Sequence, residues 1–184
     1  MSMPAARYFT AEMVLALPDD FKRYETVHGE LLVTPAPSGR HQPVVVRLIA
    51  RLAQYLNANG LEQQLLTSPA DISYGHDTLV QPDLFVADTA AFLRSGNWAD
   101  VRTLHLVIEI VSESSARSDR TIKRQLYQEQ RIPEYWIVDT DQRQVEVWTP
   151  DARFAVIQRE RLVWRHPALA NACVIGVPEL FDFG

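Results

Sequence analysis

The sequence predicts an α/β (α+β) fold in which a mixed central β-sheet is flanked by helices. Helix-like and strand-like segments alternate along the chain, which is typical of this fold class. Residues 42–57 repeat apolar side chains at helical spacing, and the run Leu104–Val111 is almost wholly apolar, as in a strand covered on both faces. Because the chain has 184 residues and domains usually have about 100–200, we expect a single domain over residues 1–184.

The composition is that of a globular protein. Apolar residues make up 47% and charged residues 22% of the chain, which excludes a disordered tail, a coiled coil and a collagen-like fibre. No segment approaches the roughly 18 apolar residues of a membrane span, and no signal peptide is visible, so we expect a cytoplasmic protein with no membrane partner. The net charge of −5 by itself disfavours a nucleic-acid partner.

The first elements follow from local signals. Thr10 is a favourable N-cap for a helix over 11–17. Residues 24–33 predict two short strands on either side of the turn His28-Gly29. After a proline-containing loop, the long helix over 42–57 ends before Asn59-Gly60. Its apolar face is expected to consist of Val45, Leu48, Ile49, Leu52 and Leu56.

The remaining chain predicts mainly strands and one further helix. Strand-like runs occupy residues 61–66, 71–74, 83–87, 104–111, 135–138, 144–148 and 154–157, with a last one near Val174. A turn over 75–77 separates two of these runs, and 135–138 with 144–148 reads as a hairpin. Asp119 is expected to cap a helix over 120–130.

Two acidic residues stand at the ends of predicted strands. Glu109 lies between Ile108 and Ile110, where burying a lone carboxylate costs several kcal/mol unless a cation or a proton neutralises it. Asp83 begins the strand over 83–87. Each acid alone has an ordinary role as a strand end, but a pair of them on neighbouring strands forms a hard-oxygen site that suits Mg²⁺.

The basic residues are distributed unevenly. The chain has sixteen arginines and only two lysines, Lys22 and Lys123, so a lysine on the predicted helix indicates a place where a compact ammonium group is preferred. Residues 117–131 contain five basic and two acidic side chains, a local charge of +3 that suits contact with phosphates. A second basic cluster on the long helix comprises Arg40, Arg47 and Arg51.

A series of short motifs runs in order along nearly the whole chain. They are Phe9-Thr10, Leu17-Pro18, Arg23-Tyr24-Glu25, His28-Gly29-Glu30-Leu31, Pro35, Pro37, His41-Gln42, Gln81-Pro82-Asp83, residues 107–112, Ser118-Asp119-Arg120, Lys123, Leu126-Tyr127 and residues 132–139. This series resembles the Uma family of putative restriction endonucleases, a branch of the PD-(D/E)XK nuclease superfamily. Two positions depart from the expected pattern, because His28 replaces an Asp and Glu113 replaces a Pro.

The resemblance implies a restriction-endonuclease-like core and a set of site residues. It makes Asp83 and Glu109 the metal-binding acids, Glu25 a further acid that reaches the same site, and Lys123 the catalytic lysine. In the superfamily this lysine lies two residues after the second acid, where this chain has Val111. The expected ion is Mg²⁺ or Mn²⁺, with the carbonyl of Ile110 as a further candidate ligand.

The function implied is hydrolysis of DNA phosphodiester bonds by a metal-dependent endonuclease. Arg40, His41, Arg120 and Arg124 are the expected nucleic-acid contacts. An alternative hypothesis is a catalytically inactive, nuclease-like module that binds nucleic acid or a protein partner. A third hypothesis, a glycosidase with two carboxylates, leaves Lys123 without a role. A homodimer is plausible for cleavage of both strands, with residues 145–148 and 154–157 as candidate edges.

Overall fold

A computed structural model of the protein describes residues 8–18, 20–35, 39–111 and 115–183. Pro37, Ser112 and Glu113 of the motif series lie outside these residues. The described chain forms a six-stranded mixed sheet, a four-stranded antiparallel sheet and a two-stranded ribbon, with helices packed against them. Over the described ranges, no helix combines the length and the hydrophobicity that crossing a membrane requires.

The strands are β1 Arg23–Val27, β2 Glu30–Thr34, β3 Leu65–Thr67, β4 Ile72–Gly75, β5 Thr78–Val80, β6 Leu84–Ala87, β7 Leu104–Val111, β8 Glu134–Asp139, β9 Gln144–Trp148, β10 Val156–Gln158, β11 Arg161–Trp164 and β12 Cys173–Gly176. The helices are α1 Ala11–Leu15, α2 His41–Asn57, α3 Ala90–Ser95, α4 Ala116–Ser118, a π-helical turn Asp119–Lys123, α5 Arg124–Glu129 and α6 Val177–Leu180. Short 3₁₀ turns lie at Glu62–Gln64 and Trp98–Asp100.

The six-stranded sheet confirms the predicted mixed sheet. Its strand order is β10-β9-β8-β7-β6-β3, and β7 and β8 are its parallel pair. Parallel neighbours need a crossover connection, and the helical segment α4, π-turn and α5 lies between these two strands in the chain. The four-stranded sheet has the order β2-β1-β5-β4 and is antiparallel throughout.

Strand β7 is covered on both faces, as its apolar sequence predicted. Leu106, Ile108 and Ile110 alternate onto one face and belong to the apolar cluster built around α2. The intervening Val107 and Val111 belong to the second cluster, which contains residues of α5. Glu109 shares the face of these two valines, so its carboxylate lies inside the protein.

The long helix α2 begins at His41, one residue before the predicted start, and ends as predicted at Asn57. Its buried residues are His41, Val44, Leu48, Leu52, Tyr55 and Leu56. Val45 and Ile49, predicted to face the core, are only half-buried because the sheet contacts a stripe rotated by about one position. Thr10 caps α1 as predicted, accepting a hydrogen bond from the Met13 amide at 3.1 Å.

Some predicted elements are corrected. Residues 61–66 begin with a 3₁₀ turn and only then enter β3, and the short strands β5 and β11 escaped prediction. The predicted helix over 120–130 begins at Ala116, so Asp119 lies within the helical segment instead of capping it. The reason is that the carboxylate of Asp119 is buried beside Lys123 and does not face solvent at a helix end.

Candidate active site

The register of two strands brings Asp83 and Glu109 together. In the antiparallel pair β6–β7, Leu84 lies opposite Ile108. Asp83 precedes Leu84 and Glu109 follows Ile108, so the next position along this ladder places the two acids opposite one another. Both residues are buried, with 5% and 2% of their surfaces exposed. The two predicted acids therefore converge at one end of the sheet.

Both oxygens of Asp83 have hydrogen-bond donors. Oδ1 accepts from Arg23 Nη2 at 2.7 Å, and Oδ2 accepts from the Ile110 amide at 2.8 Å and lies 3.0 Å from His41 Nε2. Burial by itself raises the pKa of Asp83, but the hydrogen bond with His41 and the charge of Arg23 hold this pKa below its usual value. Asp83 is therefore an ionised carboxylate.

Glu109 has the opposite electrostatic setting. Its Oε1 accepts from Lys123 Nζ at 2.9 Å and from the Tyr127 hydroxyl at 3.4 Å, while Arg23 Nη1 lies 3.7 Å from Oε2. Burial raises the pKa of Glu109 well above its usual value, and the nearby charges of Asp83, Asp119 and Glu25 add to this effect against the charge of Lys123. Glu109 is thus the acid of the cluster that most readily holds a proton.

Lys123 lies among three carboxylates. Its Nζ is 2.8 Å from Glu25 Oε2, 2.9 Å from Glu109 Oε1 and 3.4 Å from Asp119 Oδ1. Burial lowers the pKa of Lys123, but the three acids, Glu109 first, raise it above its usual value. An ammonium group has three N–H donors, and three carboxylates surround this one. The π-helical turn, a feature often found at functional sites, carries both Asp119 and Lys123 to the interior.

Glu25 and Arg23 come from the second sheet. Residues two apart on a strand share a face, and both side chains of β1 therefore point to the same site. Glu25 Oε1 accepts from the Gln81 amide at 2.7 Å, and Arg23 Nη1 donates to the Gln81 carbonyl at 2.7 Å. Strand β1 is thereby fixed to the segment that leads into Asp83.

Charge and space in this cluster suit a divalent cation. With every side chain counted in its ordinary charged form, the four acids (Glu25, Asp83, Glu109 and Asp119) against Arg23 and Lys123 give a formal charge of −2. A cavity of about 20 Å³, enough for a water molecule or an ion, is lined by Asp83, Glu109 and Asp119 together with Arg23 and Lys123. The donors are the carboxylate oxygens that Mg²⁺ and Mn²⁺ prefer. In the side-chain arrangement described, however, no group of three or more His, Cys, Asp or Glu residues is placed to hold a metal ion.

A wider groove adjoins the small cavity. It has a volume of about 720 Å³, and Arg23, His41 and Asp83 line both spaces. Phe21, 90% exposed, and Lys22 also line this groove. Asp83 lines the groove as well as the small cavity, so the cluster borders the surface on the side where Arg23 and Asp83 lie.

The predicted nucleic-acid contacts lie in different surroundings. His41 is in the site, and Arg40 is exposed beside it, with Nη1 3.8 Å from Asp141. Arg120 is bound by two carboxylates of the sheet, donating to Glu146 at 2.7 Å and also pairing with Asp139. Arg124 lies over the ring of Trp148 at 5.0 Å.

Two residues of the site were not predicted. Arg23 belongs to the motif Arg23-Tyr24-Glu25, and its position two residues before Glu25 on a strand is a signal that the two side chains share a face. The sequence predicts Asp119 as a helix cap, whereas its spacing of four residues from Lys123 is the spacing of an intrahelical ion pair.

Comparisons with known proteins agree with this architecture. The family model of Uma2, described as putative restriction endonuclease, matches residues 11–172. The fold is similar to that in the crystal structure of a putative nuclease belonging to DUF820 from Anabaena variabilis ATCC 29413, with a TM-score of 0.70 and 18% sequence identity. That match covers 94% of this chain and 97% of the other. No curated protein matches the sequence. Because the family model matches residues 11–172, most of the length of the sequence, the chain belongs to the Uma2 family of putative restriction endonucleases.

Proposed function

We propose that this protein is an endonuclease that hydrolyses DNA phosphodiester bonds with the help of Mg²⁺ or Mn²⁺. The observation that carries the proposal is the convergence of Asp83, Glu109 and Lys123 around one small cavity that adjoins a surface groove. These residues come from a loop, a strand and a helix, so only the fold brings them together. Family membership supports a nuclease as the class of activity.

In this proposal Asp83 and Glu109 hold the ion, with Ile110 as the further candidate through its carbonyl. The bound ion would polarise the scissile phosphate and lower the pKa of a bound water molecule. Asp83 is suited to this role because its pKa lies below the usual range and its side chain is fixed by His41 and the Ile110 amide. Glu109 lies on β7 and Asp83 directly precedes β6, and the pairing of these two strands limits the movement of both acids.

Lys123 acts in this proposal as a fixed positive charge and not as a base. The surrounding acids raise its pKa, so the ammonium group keeps its proton at neutral pH. Glu25 and Asp119 hold the ammonium group from two sides, at 2.8 and 3.4 Å. Lys123 would orient the attacking water molecule or stabilise the charge that develops on the phosphate. Glu25 is therefore a positioning residue for Lys123.

The proposal includes two copies of the chain acting on the two strands of a duplex. A C₂ dimer would present two equal sites to the two antiparallel strands. Strand β10 is the terminal strand of the described six-stranded sheet, and Val156 and Ile157 on it are exposed by 58% and 40%. This edge is the candidate surface for the second copy.

A cleavage assay on supercoiled plasmid DNA tests the proposal. We expect nicked and linear products with Mg²⁺ or Mn²⁺ and none with EDTA. Asp83→Asn and Glu109→Gln should each reduce the cleavage rate by about 100-fold or more, because each replaces a carboxylate ligand of the proposed ion with a neutral amide. Asp151→Asn is the matched control, since Asp151 is an exposed acid outside the cluster and pairs with Arg131.

The inactive-module hypothesis makes a different prediction for the same samples. It expects DNA binding in a gel-shift assay that is unchanged by EDTA and by Asp83→Asn, with no products on any time scale. Cleavage that persists equally in both site variants would contradict the proposed roles of the two acids. Circular dichroism of each variant shows whether it is folded.

A further inference from the structure

The guanidinium group of Arg23 lies between the two proposed metal ligands. Nη2 is 2.7 Å from Asp83 Oδ1, and Nη1 is 3.7 Å from Glu109 Oε2. Nη1 also donates to the carbonyl of Gln81 at 2.7 Å. A cation of the chain itself therefore spans the two carboxylates that the proposed function gives to a divalent ion.

Arg23 contacts Asp83 Oδ1 and lies 3.7 Å from Glu109 Oε2, so a divalent ion bound to these oxygen atoms would compete with the guanidinium group and be repelled by its charge. The formal charge of the cluster is −2 with Arg23 and −3 with a neutral residue in its place. A divalent ion brings these totals to 0 and −1. Removal of the guanidinium group should therefore strengthen the attraction of the cluster for a metal ion.

Arg23 also lies beside the wider groove, within which its side chain could contact a second anion. Its side chain is 18% exposed and lines both the small cavity and the wider groove. Its planar donors suit a phosphate as well as a carboxylate, because both anions can accept two parallel hydrogen bonds. A small shift of this side chain toward the groove would exchange a carboxylate partner for a phosphodiester of the substrate.

We infer that Arg23 is a built-in counter-cation that competes with the divalent ion for Asp83 and Glu109, and that its displaced guanidinium group binds a substrate phosphate in the groove. This inference rests on the proposed function. It assigns Arg23 two effects of opposite sign: the residue weakens metal binding and strengthens DNA binding. A residue that only maintained the fold would change both in the same direction.

Two binding measurements on Arg23→Gln test the inference. Calorimetric titration with Mn²⁺ should give a dissociation constant at least fivefold lower than that of the wild type. Fluorescence anisotropy with a DNA duplex, measured with Ca²⁺ in place of Mg²⁺ and with the duplex checked to be intact after each titration, should give a dissociation constant at least fivefold higher. Arg94→Gln is the control, because Arg94 is an exposed arginine on α3, outside both basic clusters, and should leave both constants unchanged.

Arg23→Lys keeps the test decisive if Arg23→Gln does not fold. A lysine retains the charge but has no planar fork, so Mn²⁺ affinity should rise and DNA affinity should fall, each by less than in Arg23→Gln. Mn²⁺ affinity that is unchanged or weaker in the Arg23 variants would overturn the inference, and so would unchanged DNA affinity.

Asp83→Asn separates this inference from the proposed function. If wild-type Mn²⁺ binding depends on Asp83 but is no weaker than that of the Arg23 variants, only the role of Arg23 is overturned. If neither the wild type nor any Arg23 variant binds Mn²⁺ through Asp83, the metal site and the inference are both overturned.

Discussion

Two arginines of this chain each join a pair of carboxylates, but their surroundings differ. Arg23 spans Asp83 and Glu109, and its side chain is 18% exposed. Arg120 spans Asp139 and Glu146, and its side chain is 34% exposed.

The acids beside Arg120 are satisfied within the fold. Asp139 Oδ1 accepts from the amides of Asp141 and Gln142 at 3.0 and 2.8 Å, so it also stabilises the β8–β9 turn. The acids beside Arg23 outnumber their cations and surround a cavity. An arginine between two carboxylates thus stabilises the β8–β9 turn at Arg120. At Arg23 the same arrangement leaves negative charge that a ligand can neutralise.

The largest expected effect is that of removing Lys123. Lys123→Gln should lower the free energy of unfolding by about 3–5 kcal/mol, because it leaves buried carboxylates without their cation. Urea denaturation at pH 7 measures this change. The other lysine is the control: Lys22 is half-exposed and pairs with Asp20, so Lys22→Gln should change the free energy of unfolding far less than Lys123→Gln does. Equal effects of the two substitutions would contradict the distinction between a buried cluster and a surface pair.

The pH dependence of stability separates Glu109 from Asp83. Because the pKa of Glu109 is raised in the fold, the folded chain keeps a proton that the unfolded chain releases above about pH 4.5. Stability should therefore fall as the pH rises from this value toward neutrality, and Asp119, whose pKa is also raised by burial, acts in the same direction. The lowered pKa of Asp83 acts in another window, because its contribution is lost as the pH falls below 3.8.

Glu109→Gln should make the decline in stability less steep, by up to about 1.4 kcal/mol per pH unit for one proton. Urea denaturation at several values between pH 5 and pH 8, without divalent ions, measures the slope. Glu62→Gln, at an exposed position, should leave the slope as in the wild type. A slope that Glu109→Gln leaves unchanged would show that Glu109 is ionised throughout this range.

The smallest expected effects concern the basic residues outside the cluster. Arg120→Gln should lower the free energy of unfolding by about 1 kcal/mol and change DNA affinity by less than twofold, because its donors are taken by Glu146 and Asp139. Arg40→Gln should have the reverse pattern, with little loss of stability and a severalfold loss of DNA affinity. Anisotropy titrations in Ca²⁺ measure the affinities. A larger loss of DNA affinity with Arg120→Gln than with Arg40→Gln would place the DNA beside Arg120 and not beside the groove.

Much of the fold could be predicted because its signals are local. The apolar run of β7, the hairpin β8–β9, the turn at His28-Gly29 and the helix α2 each depend on neighbouring residues and were found with errors of one or two positions. The strands β5 and β11 have only three and four residues; β5 pairs with β4 and at one position with β1, and β11 pairs with β12. Short strands of this kind carry too little local pattern to be recognised.

By itself the sequence determined which residue types are available to the site, the mixed α/β fold and the family. It placed Asp83, Glu109 and Lys123 on their elements because strand and helix periodicity is written in consecutive residues. Only the tertiary structure decided which side chains surround these three residues. It set Arg23 between the two acids, carried Asp119 to the interior and turned Arg120 toward Asp139 and Glu146. The physical reason is that buried charges must be compensated in three dimensions, by groups that are distant in the chain.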